Sequence, residues 1–517
     1  MSFLESMEKV LNEDFNTSTT ENGAVGYRTT GTALLDFNFK VASYRNKSES
    51  EIVKDFMKVF FEDKLTAMKF LFFIRDREEG LGERRLFRVV IKHLATQDGE
   101  LIKAIVPVVA EYGRYDDLLE LFDTPLEKFT LDFISKEFNK DVDKYLEHKP
   151  ISLLAKWLPS INATSEKTKA KAKKIIKHIG VEEKVYRKTL SALRKHIDVV
   201  ERKMCAKEWD KINYEGVPSR ANLNYNDAFL RHDDERRREF LGKVEKGEKK
   251  INSGKLFPHD IVHKYMNGYR VHPKDATLEA LWKALPKKEI ANTLVVADGS
   301  GSMTSTIGKT NVTALDVANA LAIYFAEHNK GEFNNQYITF SENPQLVKFN
   351  KTDSLQDKIV KCMLHSEVAN TNIEKVFGLI LQTAINNKLS QEEMPKNILI
   401  ISDMEFDSCA TCDESSGIYR SYYSSIKRPD KKLFKVIEKA YTDHGYKLPK
   451  LIFWNVNSRT GTIPMKENDL GVALVSGFST NIAEMVMNDK LDPLEILLDK
   501  LNTERYKKIE KILQKVL

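Results

Sequence analysis

The residues with the clearest chemical purpose are Ala297-Asp298-Gly299-Ser300-Gly301-Ser302-Met303, which place one carboxylate and two hydroxyls at alternate positions directly after an apolar run. In a tight glycine-rich loop, residues i, i+2 and i+4 can turn toward one point, because Gly299 and Gly301 accept backbone torsions that bulkier residues resist. Hard cations such as Mg²⁺ take oxygen ligands in an octahedron and keep several waters, so a carboxylate with two hydroxyls suits a partial shell. The competing reading of the same string is a polar turn without metal. Strand pattern before it and helix pattern after it favour the cation.

Those flanking patterns extend over the second half of the chain. NTLVVAD, QYITF, NILIISD and KLIFWNV alternate with TALDVANALAIYFAEH, TNIEKVFGLILQTAINNK and KLFKVIEKAYTDHG. Continuous apolar strands alternating with amphipathic helices imply a parallel sheet covered on both faces. Such sheets bind ligands at the carboxyl ends of their strands, the edge where Asp298 and Asp403 fall. From residue 49 to residue 290 the apolar spacing is helical instead, as in SEIVKDFMKVFFEDKLTAMKFLFFIRD. Serial short helices of this kind suggest stacked pairs in an α-solenoid. The expected division is an N-terminal segment 1–48, partly disordered or laid along the helices; a helical-repeat domain 49–289; an α/β domain 290–490; and a C-terminal helix 491–517.

Composition sets the outer bounds. With 517 residues, 42% hydrophobic and 30% charged, the chain can bury a sizeable core, and no uncharged apolar run reaches the roughly 18 residues of a membrane span. The N-terminus, MSFLESMEKVLNEDF, lacks the pattern of a secretory signal. Four cysteines, Cys205, Cys362, Cys409 and Cys412, are too scattered for a disulfide framework, which points to a reducing compartment such as the cytoplasm. Cys409-x-x-Cys412 without a second ligand pair reads as loop before it reads as zinc or redox chemistry. Trp157, Trp209, Trp282 and Trp454 read as packing groups.

The Asp-x-Ser-x-Ser loop resembles the metal-ion-dependent adhesion site of the von Willebrand factor A fold, a Rossmann-like α/β domain. That family adds a threonine from a second loop and an aspartate after a later strand. The resemblance therefore implies Thr371, in Asn370-Thr371-Asn372, and Asp403, in Ile401-Ser402-Asp403, as partners of Asp298, Ser300 and Ser302 around Mg²⁺ or Mn²⁺. Two departures stand out: no glycine precedes Thr371, and Met404-Glu405 replaces the glycine that often follows the last aspartate. In the family an acidic side chain or another anion from a partner completes the shell. His328, Glu405 and Asp407 offer no general base with a matched position, so the expected role is binding and the chain is read as non-enzymatic.

In the helical half, Arg75-Asp76-x-x-x-Gly80-x-Gly82-x-Arg84, Tyr112-Gly113-Arg114-Tyr115-Asp116-Asp117 and Leu153-Leu154-Ala155-Lys156-Trp157-Leu158-Pro159 resemble the Ro autoantigen family, and most of all an uncharacterised family related to it. Its TROVE module, a ring of HEAT-like helices, binds RNA. The resemblance implies an RNA-binding scaffold in a ribonucleoprotein, with small non-coding or misfolded RNA as partner. Charge points the same way: the net charge is only +6, yet residues 161–260 hold about 25 Lys and Arg against about 16 Asp and Glu. Lys169, Lys171, Lys173, Lys174 and Lys177 would stripe one helix, with Arg187, Lys188, Arg194 and Lys195 on the next, as phosphate attraction requires. The alternatives are a solvated helix face and, for the whole chain, a protein-interaction adaptor that binds an acidic ligand and no RNA.

Overall fold

The computed structural model describes residues 3, 4, 7, 11, 15–267, 270–340, 343–366, 372–408, 432–487 and 489–517. It divides into two compact units: Met1–Ser48 with Leu256–Lys500, and Glu49–Lys255 with Leu501–Leu517. Among the described residues no helix is long and apolar enough to cross a membrane.

The first unit is built on a six-stranded sheet. Strands β1 (Thr293–Asp298), β2 (Gln336–Phe340), β3 (Gln345–Lys348), β4 (Asn397–Ser402), β5 (Lys450–Asn455) and β6 (Val472–Ser476) lie in the order β6-β5-β4-β1-β2-β3. All neighbours are parallel except β2 and β3. Every residue of β1, β4, β5 and β6 is buried, as runs such as LVVA, ILII and LIFW require of strands covered on both faces. The Ala314–His328 helix, started by a Thr313–Asp316 capping box, packs on β1. After β1 the chain moves to one side of the sheet and after β4 to the other, so the β1–β4 junction is a topological switch point with a crevice at its carboxyl end.

Four of these strands match the alternation read from the sequence, whereas β3 and β6 do not appear in that reading. β3 is a short edge strand with a half-exposed face, and β6 lies between Gly471 and Gly477 without the long helix pattern that marked the others.

The unit boundaries also differ from the expected 1–48, 49–289, 290–490 and 491–517. Residues 15–48 are folded onto the α/β unit. Thr17–Thr19 and Val25–Tyr27 form a hairpin whose Gly23 bridges Asp407 and whose Tyr27 bridges Ile463. The Ala33–Lys40 helix buries Leu34, Leu35, Phe37 and Phe39 on the β6 side, where the Asn38 amide donates to the Leu474 carbonyl at 3.1 Å. Residues 256–289 belong with the sheet as well: His263 meets Asp316 at 2.9 Å, and the Trp282 indole donates to Glu327 at 2.8 Å. Helical periodicity shows that these segments are helices but not which core they cover.

The second unit is helical, and the stretches around Arg75, Arg114 and Trp157 singled out in the sequence converge in it. Arg75, 1% exposed, donates to Asp117 at 2.8 Å. Asp117 also accepts from Arg88 at 2.6 Å and from the Arg114 amide at 2.9 Å, while the Arg114 guanidinium grips Asp116 through two nitrogens and lies 4.0 Å from the Trp157 ring centre. Gly113 makes this possible, since a Cβ there would sit 2.4 Å from the Asp117 carboxylate. Gly80 is equally constrained, because its Cβ would fall 2.0 Å from the Phe73 carbonyl oxygen. The final helix, Glu504–Leu513, closes the unit by burying Tyr506, Ile509 and Leu513, with Arg505 and Tyr506 both bound to Asp76.

Candidate functional site

Asp298 ends β1 and Asp403 follows the last residue of β4, so the switch point brings the two carboxylates to one crevice. Both are buried, Asp298 at 1% and Asp403 at 0% exposure. Asp298 Oδ1 accepts from the Ser300 amide at 2.9 Å, and Oδ2 accepts from the Ser402 hydroxyl at 2.6 Å. The Ser300 and Ser302 hydroxyl oxygens are 3.0 Å apart. Asp403 Oδ1 accepts from the Glu405 amide at 3.2 Å. Its Oδ2 is buried with no hydrogen-bond partner among the described residues.

Burial pushes the Asp298 carboxyl up, and the charge of Asp403 pushes it further, against the bonds from Ser402 and Ser300. Asp403 is raised by burial too; the Ser302 hydroxyl and the Glu405 amide hold it down, the Glu405 charge raises it, and Arg459 lowers it again. Two carboxylates that resist ionisation side by side, one with an orphaned oxygen, form a donor set that a cation would stabilise. Among the described residues no group of three or more His, Cys, Asp or Glu side chains is placed to hold a metal. An ion here would therefore rest on Asp298, Asp403 and the two serine hydroxyls, an all-oxygen set suited to a hard cation that keeps its waters. Thr371 lies outside the described residues, as do Cys409 and Cys412. Ser366, the last described residue before Thr371, passes close over Gly299.

Met404 explains one departure from the resemblance. Its φ is +63°, in the left-handed region that favours glycine, yet its side chain is 1% exposed. The left-handed conformation costs an L-residue about 1–2 kcal/mol, whereas deleting a buried methionine side chain costs about 2–5 kcal/mol. Met404→Gly is therefore expected to lower stability by a net 1–3 kcal/mol or so, read by denaturant unfolding; a stability gain would show that strain outweighs packing.

Glu405 is no free acid. Its Oε1 accepts from the Arg459 amide at 2.8 Å, the Thr460 amide at 2.9 Å and the Ser458 hydroxyl at 3.2 Å, and its Oε2 accepts from the Glu21 amide at 2.9 Å. It ties the loop after β5 and the N-terminal hairpin to the segment that follows β4. His328 is likewise structural, bonded to the Tyr324 carbonyl at 2.7 Å. Sequence reading missed three groups at the centre: Ser402, Arg459 and Glu21. Arg459 Nη2 lies 3.0 Å from Glu21 Oε2 and 3.7 Å from Asp403 Oδ2.

In the helical unit the expected cations divide into two sets. Lys169 pairs with Glu166, Lys171 with Glu120 and Lys174 with Asp123 and Glu127. Arg194 donates to the carbonyls of Ala155 and Leu158 and to the Ser160 hydroxyl, so it finishes the Leu154–Trp157 helix. Lys173, Lys177, Arg187, Lys188 and Lys195 are exposed and have no ion-pair partner among the described residues. Lys184, absent from the sequence reading, joins Lys188 and Lys195 at helical spacing on the Glu183–His196 helix.

Two family models match the chain, both described as domains of unknown function: DUF2828 over residues 130–294 and DUF7788 over residues 292–514. They meet at the start of β1, whereas the compact α/β unit already includes residues from Leu256. Over 527 aligned residues the chain is 30% identical to uncharacterized protein L728 of Acanthamoeba polyphaga mimivirus, covering 93% of this chain and 87% of that protein. Among solved structures it is similar to the Ro (RSR) protein of Deinococcus radiodurans, with 15% identity, a TM-score of 0.42, and coverage of 92% of this chain and 95% of that one.

Proposed function

This chain belongs to the same family as uncharacterized protein L728 of Acanthamoeba polyphaga mimivirus, and for this chain we propose a non-enzymatic, Ro-like RNA-binding scaffold whose α/β unit holds Mg²⁺ or Mn²⁺. The observation that carries the metal half is the orphaned, fully buried Oδ2 of Asp403 beside Asp298, Ser300 and Ser302. The strand order, with β3 antiparallel at the edge, supports reading the unit as a von Willebrand A-type domain, with Thr371 as a further ligand by resemblance. A cation held there by Asp298, Asp403, Ser300 and Ser302 would supply Lewis-acid attraction for an anionic oxygen of a partner. The chain's own groups do the rest: Ser402 orients Asp298, and Glu405 fixes the loops around Asp403.

The RNA half rests on the sequence resemblance and on the exposed cations Lys173, Lys177, Lys184, Arg187, Lys188 and Lys195, which are free to meet phosphates. The bound half of the expected set (Lys169, Lys171, Lys174 and Arg194) is already committed within the unit and contributes less. Sequencing the RNA that co-purifies with the full chain from its own cells is the direct test. Enrichment of discrete small RNAs over total RNA is the expected result, and a profile identical to background would leave the protein-interaction adaptor as the better reading.

A further inference from the structure

Arg459 stands at the metal centre with a fixed base and a donor to spare. It lies in the loop after β5, at the same sheet edge as Asp403. Glu405 holds the backbone of that loop through the amides of Arg459 and Thr460, at 2.8 and 2.9 Å. The guanidinium reaches back toward the centre: Nη2 lies 3.7 Å from Asp403 Oδ2, beyond hydrogen-bonding distance. Its Nε is buried without a hydrogen-bond partner among the described residues, as is that Asp403 oxygen. Among the described residues the nearest carboxylate to Arg459 is that of Glu21, at 3.0 Å, from the turn of the N-terminal hairpin. Both side chains of that pair are partly solvated, at 35% and 47% exposure, so the pair is weak and displaceable.

We propose that Arg459 is the second anchor of a carboxylate ligand at this centre, and that Glu21 occupies the anchor until a ligand carboxylate displaces it. The proposal rests on reading the centre as a divalent-cation site. A carboxylate has two oxygens, and each would have a partner here: a cation held by Asp298, Asp403 and the serine hydroxyls for one, and the Arg459 guanidinium for the other. Glu21 shows that a carboxylate oxygen reaches Nη2 of the fork. It also makes the hairpin an internal competitor, so that ligand affinity includes the cost of releasing Glu21. The Glu21 backbone is held independently by Glu405 at 2.9 Å, which lets the side chain exchange without unfolding the hairpin.

The test uses the full chain with Mn²⁺ as the cation and acetate as the carboxylate, read by water-proton relaxation, which follows both Mn²⁺ binding and the displacement of its waters. Arg459→Ala removes a positive charge beside Asp403, so Mn²⁺ affinity should rise by about threefold or more. The same variant should lose about tenfold in acetate affinity. A merely structural role would lower both, so the opposite signs are diagnostic. Glu21→Gln should tighten acetate binding by about threefold, because the competitor is gone. Arg459→Lys keeps the charge but not the fork and should fall between. Mn²⁺ binding with acetate affinity unchanged in Arg459→Ala would overturn the anchor and leave the metal reading standing. Inorganic phosphate binding about tenfold tighter than acetate, with the same Arg459 dependence, would overturn the carboxylate assignment. No Mn²⁺ binding by the wild type would overturn the metal reading and the proposal together.

Discussion

Asp403→Asn is expected to abolish the response of the α/β unit to Mn²⁺ while making the metal-free protein more stable. Asp403 supplies the only orphaned carboxylate oxygen in the crevice among the described residues, and an amide cannot replace it as a charged ligand. Loss of a direct ligand should exceed the ~10–100-fold that loss of an outer hydrogen-bond partner costs a metal site. Without metal the balance reverses, since the variant no longer buries a second negative charge near Asp298, the charge that helps push the Asp298 carboxyl up. That relief is worth on the order of 1–2 kcal/mol, a rise of a few degrees in melting temperature. In the wild type, Mn²⁺ at about 100 times its dissociation constant should add roughly 2.7 kcal/mol. Calorimetric titration and thermal melts with and without Mn²⁺ check both signs. Ser402→Ala should weaken binding less, because it leaves both carboxylates in place and removes the 2.6 Å bond that orients Asp298 together with the 2.8 Å bond the hydroxyl accepts from the Met404 amide. Equal Mn²⁺ stabilisation of wild type and Asp403→Asn would remove Asp403 from the site.

Opposite effects on binding and stability also indicate what the sequence made legible. Asp298, Ser300 and Ser302 could be singled out because one short loop carries them, and Asp403 because the resembled family carries an aspartate after a later strand; the parallel sheet brings that strand's end beside Asp298. Arg459 and Glu21 could not, since they arrive from a loop after β5 and from the N-terminal hairpin, and the link between them is Glu405, 384 residues from the amide it accepts. A buried acid that staples three segments looks, in sequence, like any acid beside a ligand. The same limit explains the N-terminal segment. Its Thr, Ser, Asn and Gly clusters read as partly disordered or laid along the helices, but the backbone finds partners in Asp407 and Ile463 far along the chain. Met404 shows the converse: a glycine expected by resemblance is absent because the position is buried as well as left-handed.

The basic face gives the second large effect. Charge counting finds the cations but cannot tell which are already neutralised, because the acids that pair with Lys174 come from Asp123 and Glu127, about 50 residues earlier. If RNA binds the helical unit, the exposed residues Lys173, Lys177, Arg187, Lys188 and Lys195 should carry the contacts. Reversing all five to Glu should reduce RNA affinity by about a thousandfold or more at moderate salt, and should flatten the dependence of log affinity on log salt by roughly 4 units, near 0.7–0.9 per lost phosphate contact. Lys169→Gln, Lys171→Gln and Lys174→Gln together form the control. Those side chains already face Glu166, Glu120, Asp123 and Glu127, so the slope should change by about one unit at most. Both variants should keep wild-type Mn²⁺ affinity, because the oxygens proposed to coordinate it belong to the other compact unit. Filter binding across a salt series reads the slope directly. A slope that survives the five reversals, or that collapses equally in the control, would mean that the exposed stripe is solvated surface and that RNA, if held, is held elsewhere.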